Sequence, residues 1–74
     1  MDEVLRRVRR DRVELPPPPI RRAIRIAAGL PQGAVADAIK VSRASVTRYE
    51  LGVREPRGDT RRKYAAALER MRRV

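Results

Sequence analysis

The sequence has no cysteine, histidine, tryptophan or phenylalanine, and its only aromatic residues are Tyr49 and Tyr64. Without cysteine there is no disulfide scaffold, thiolate zinc site or thiol nucleophile. Without histidine the usual general base and the commonest metal ligand are gone as well. Two aromatic rings are too few for an RNA reader that stacks several bases on exposed side chains. No apolar run approaches the roughly 18 residues needed to span a bilayer, and no hydrophobic signal segment follows the charged start. The expectation is a soluble, cytoplasmic protein with no membrane partner. No catalytic residue, metal site, cofactor site or small-molecule substrate is expected, and an enzyme is disfavoured.

What is abundant is positive charge. The 74 residues carry 19 Lys and Arg against 9 Asp and Glu, a formal net charge of +10. This length allows one small domain at most, near the lower edge of what folds without covalent staples. Such a charge on so small a body attracts polyanions, and nucleic acid comes first, because cations on phosphate release condensed counterions. The cations are dispersed, the longest uninterrupted run being Arg61-Arg62-Lys63. A basic surface that is merely solvated is the alternative.

Apolar periodicity places helices and no strands. Residues 1–15 read as an amphipathic helix with Met1, Val4, Leu5, Val8 and Leu15 on one stripe. Two readings of that stripe stay open: it packs on its own domain, or it pairs with another subunit. Residues 16–19 are four prolines, read as a stiff spacer before a domain over 20–74. A second helix starts near the last proline with Ile20, Ile24, Ala27 and Ala28 inward and Arg21, Arg22 and Arg25 on other faces. Gly29 closes it. A third helix opens at Pro31-Gln32 and carries Val35, Ala36 and Ile39. Ser42 caps a fourth over Arg43–Glu50, with Val46 and Tyr49 buried. After a loop at 53–58, Asp59 or Thr60 caps a last helix with Tyr64, Ala65, Leu68 and Met71 inward. The fold class is all-α, a compact bundle of four to five short helices.

From Gln32 to Leu51 these helices have the pattern of a helix-turn-helix. Ala36 is small where two helices cross closely, Val41 plugs the turn, and Val46 and Tyr49 anchor the second helix so that its other face is fixed outward. Any compact helical hairpin needs similar anchors. The longer string Ile24-Arg25, Ala28-Gly29-Leu30, Gln32, Val35-Ala36, Val41-Ser42-Arg43, Val46, Arg48-Tyr49-Glu50, Gly52 and Pro56 is more specific. It resembles the Cro/repressor-type (XRE-like) helix-turn-helix family of phage and bacterial regulators. With Tyr64 and Leu68 the resemblance covers about residues 20–70 and implies a lambda-repressor-like fold. The sequence departs from the family at Lys40, where glycine is usual, at Pro31, which replaces a Ser/Thr cap, and at Gly33, where a better helix former is common.

The resemblance implies that the helix from Arg43 enters the major groove with Ser42, Arg43, Ala44, Thr47 and Arg48 toward the bases. Arginine there donates to guanine O6 and N7, while Ala44 and the Thr47 methyl suit a thymine methyl. For Arg43 and Arg48 a phosphate contact or simple solvation is the alternative. It further implies a phosphate contact at Gln32, at a helix N-terminus, and backbone or minor-groove contacts from Arg54 and Arg57. Arg25 and Glu50 are implied to form a structural salt bridge. Arg61, Arg62 and Lys63 either solvate the last helix or touch phosphate.

The expectation is a sequence-specific, double-stranded DNA-binding transcriptional regulator, a small Cro-like repressor acting by operator occupancy. One module reads few base pairs and relatives bind palindromes as dimers, so a homodimer is allowed, although no dimer interface is visible. The alternatives are an architectural or recombination-directing DNA-binding protein, or an antitoxin-type protein-interaction module.

Overall fold

The computed structural model describes residues 2–5 and 13–74. Residues 2–5 are helical, with Val4 and Leu5 exposed. The expected amphipathic helix over 1–15 lies mostly outside the described residues, Met1 and Val8 included. Residues 13–17 have no regular structure; Leu15, Pro16 and Pro17 each precede a proline, which disfavours the helical region there. Four helices follow: α1 Pro18–Ala27, α2 Gln32–Ile39, α3 Arg43–Leu51 and α4 Gly58–Arg72.

Helix α1 begins inside the proline run. Pro17 is its extended N-cap, and Pro18 and Pro19 occupy the first turn, where proline's missing amide has no partner to lose. Only Pro16 and Pro17 therefore remain outside regular structure. The inward stripe of α1 is Arg21, Ile24, Arg25 and Ala28, spaced i, i+3, i+4, i+7, and Arg21 is buried. Ile20 and Ala27, expected inside, are exposed. Two arginines occupy the inner face because acidic partners meet them there.

Each connection between these helices holds a left-handed residue, the first being Gly29 after α1 with φ 73°. Lys40 ends α2 with φ 60° and ψ 49°, a conformation that disfavours a side chain by about 1 kcal/mol or more. Gly52 ends α3 with φ 76°. A Cβ at Gly52 would also come within 3.1 Å of Pro18 Cγ, so the end of α3 sits directly against the start of α1.

The core lies where α2, α3 and α4 converge. Val35, Ala36 and Ile39 meet Val46 and Tyr49, and α4 closes over them with Tyr64, Ala67, Leu68 and Met71. Leu15, Ile24, Ala28 and Val41 pack around the edge. Burying each large aliphatic side chain contributes on the order of 1.5–3 kcal/mol. The α4 stripe is 64, 67, 68, 71, so Ala67 takes the inner place expected of Ala65, which is half-buried. The Tyr49 and Tyr64 rings are tilted at 38° with centroids 5.6 Å apart. Burial pushes the Tyr64 phenol up to about 12, and its hydroxyl has no hydrogen-bond partner among the described residues.

Candidate nucleic-acid interface

Helix α3 is held by one face and free on the other. Val46, Tyr49 and Glu50 are buried, whereas Ser42, Arg43, Ala44 and Arg48 are exposed and Thr47 is half-buried. Ser42 is the N-cap: its Oγ accepts from Ser45 N at 3.1 Å and lies 3.0 Å from Ser45 Oγ. This cap satisfies one of the amides that a helix start leaves open. Arg43 and Arg48 have no acidic partner among the described residues, so both guanidiniums are available to an external acceptor. Their five fixed donors suit planar, bidentate acceptors.

Behind that face runs a continuous polar network. Arg25 donates through Nε and Nη2 to the two Glu50 oxygens at 2.6 and 3.0 Å, and through Nη1 to the Leu30 carbonyl at 2.8 Å. It thus ties α1 to α3 and to the turn before α2. Both members of the pair are largely buried, the side chains 11 % and 3 % exposed. Burial pushes the Glu50 carboxyl up. Hydrogen bonds from Arg25 and Gln32, with the charges of Arg25 and Arg22, outweigh this and hold it below the usual range. The Glu50 hydrogen bond in turn raises Arg25 further.

Gln32 extends the network. Its Nε2 donates to Glu50 Oε1 at 3.1 Å, and its Oε1 accepts from the Thr47 hydroxyl at 2.8 Å. Thr47 Oγ1 also donates toward the Arg43 carbonyl at 3.2 Å. The Gln32 side chain therefore joins α2 to α3. At the same helix start Pro31 offers no side-chain cap, which leaves the first amides of α2 open to an anion.

The loop after α3 carries Arg54 and Arg57, both exposed. Together with Tyr49, Glu55, Pro56 and Thr60 they line a concavity of about 460 Å³. Sequence reasoning did not single out Glu55. It receives Arg21 Nη1 and Nη2 at 3.0 Å each and Arg61 Nη1 at 3.3 Å. The Arg21 hydrogen bond is the main cause that holds its carboxyl below the ordinary range, against burial. Arg21 also donates to the Tyr49 carbonyl at 3.2 Å, a cation at the C-terminal end of α3 where the helix dipole favours one. Arg61, read from sequence as either solvating the last helix or touching phosphate, is bonded to Glu55 and to the carbonyls of Val13 and Pro56. Arg62 is exposed and lies 3.8 Å from Asp59.

Among the described residues no helix is long and apolar enough to cross a membrane. A family model described as Helix-turn-helix matches residues 22–70, two thirds of the chain, from the first turns of α1 to near the end of α4. No curated protein and no solved structure gives a significant match.

Proposed function

The chain belongs to the helix-turn-helix family of DNA-binding regulators, and from that membership we propose that it is a sequence-specific repressor that occupies an operator in duplex DNA. Helix α3 lies in the major groove. Arg43 and Arg48 donate to guanine O6 and N7, and Ala44 and the Thr47 methyl lie against thymine methyl groups. Ser42 approaches the same base edges from the helix start. The backbone is held by the open amides at Gln32 and by Arg54 and Arg57.

The observation that carries the reading is the face of α3 itself. A helix fixed by Val46, Tyr49 and Glu50 presents two arginines with no acidic partner among the described residues, within a chain of net charge +10. Arginines kept for the scaffold, such as Arg21 and Arg25, are paired with glutamates. Gln32 acts on phosphate through its backbone amide, since its side-chain donor Nε2 is engaged by Glu50.

Operator occupancy excludes other proteins from the site and asks nothing of the chain but binding. A single module of this kind spans few base pairs, and a homodimer on a palindromic site supplies the rest. Titration of a labelled duplex at several salt concentrations tests the DNA-binding step. Affinity falling linearly on logarithmic axes is expected, and salt-independent or absent binding would remove the reading.

A further inference from the structure

Loop 53–57 is pinned at two adjacent residues near its middle. Pro56 is fully buried and Glu55 is gripped by two guanidiniums, while Arg54 and Arg57 on either side of them are exposed. The two cations that hold Glu55 also reach back along the chain. Arg21 Nε donates to the Pro16 carbonyl at 2.7 Å, and Arg61 Nε donates to that of Val13. One carboxylate, two guanidiniums and two carbonyls thus join the strap at 13–16, the first turn of α1, the loop and the start of α4. Most of the strap side of this joint lies outside the matched residues 22–70.

By charge count alone, Glu55 is misplaced. A carboxylate that lines the same concavity as Arg54 and Arg57 opposes the approach of phosphate. Its geometry provides the compensation. A five-residue connection with two long exposed arginines loses much conformational freedom when it meets a ligand, and fixing the backbone beforehand lowers that cost. We propose that Glu55, clamped between Arg21 and Arg61, is a positioning residue that fixes loop 53–57 so that Arg54 and Arg57 engage the duplex backbone. This role rests on the DNA-binding reading above.

The two effects of Glu55 have opposite signs, which makes the role testable. Glu55→Gln raises the net charge by one, and a purely electrostatic Glu55 would then bind DNA more tightly. A positioning Glu55 gives the reverse: several-fold weaker binding to a random-sequence duplex at about 150 mM salt. The logarithmic salt slope falls by about one for each arginine that no longer meets a phosphate. Arg21→Lys keeps the charge and removes the bidentate fork, and is expected to lower the slope in the same way. Thermal melts of the variants run alongside, and if Glu55→Gln does not fold, the Arg21→Lys slope decides. Wild-type slope with equal or tighter binding overturns the positioning role alone. A wild-type chain without salt-dependent duplex binding overturns the DNA-binding reading and the role with it.

Discussion

The Thr47 hydroxyl donates to Gln32 Oε1 across 2.8 Å, so the polar atom of a residue on the exposed side of α3 is turned into the scaffold. The part of the Thr47 side chain not engaged in hydrogen bonds is its methyl group. Thr47→Val keeps that methyl and removes the hydroxyl. The variant is expected to retain the base preference of the wild type and to lose about 0.5–1.5 kcal/mol of stability. That is a drop of several degrees in Tm for a domain of this size. A changed base preference with an unchanged Tm would mean that the hydroxyl reads DNA.

The Arg25–Glu50 pair predicts a specific acid response. Glu50 has a carboxyl held below its ordinary value in the folded chain, so the pair's contribution is complete above the usual carboxylate range. It is lost as pH falls through the lowered value. Glu50→Gln leaves Arg25 largely buried and without its counter-charge, at a cost of about 3 kcal/mol. Melts over a series of acidic pH values are expected to show a shallower decline for Glu50→Gln than for wild type. Parallel declines would mean that the pair does not govern the acid limb.

The cations on α3 and those in the loop should separate by kind of loss. Arg43→Ala and Arg48→Ala are each expected to cost about 1–3 kcal/mol on the preferred site and little on random duplex. Arg54→Ala and Arg57→Ala are expected to weaken both duplexes alike and to reduce the salt slope by about one each. Paired binding isotherms on the two duplexes measure the difference. Equal losses on both for Arg43→Ala would make that residue a phosphate contact.

The bundle is legible in the sequence wherever apolar residues keep a helical period, as Val35, Ala36, Ile39, Val46 and Tyr49 do. At α1 it is legible only in part: the helix and its inward Ile24 and Ala28 follow from the period, but the rest of the inner stripe is Arg21 and Arg25. Hydropathy assigns those cations to solvent, and Glu55, the partner that buries Arg21, lies 34 positions away. The Arg25–Glu50 pairing follows from the family resemblance rather than from spacing, and Glu55 has no comparable cue. The family resemblance implies a phosphate contact for Gln32 at its helix start. Its engagement with Thr47 and Glu50 depends on how closely α2 and α3 pack, which no local pattern encodes. The start of α1 at Pro18 shows the same limit: a proline run reads equally as an extended spacer or as a helix's first turn.

The measurement that bears most directly on the central claim is selection of bound duplexes from a random pool at about 150 mM salt, with wild type and Arg43→Ala in parallel. The account predicts that wild type enriches a motif containing guanines, arranged as a palindrome, and that Arg43→Ala loses a guanine preference at one position of each half. Retained, salt-sensitive binding with no enriched motif would contradict sequence reading by α3 and leave a DNA-binding protein that recognises only the backbone.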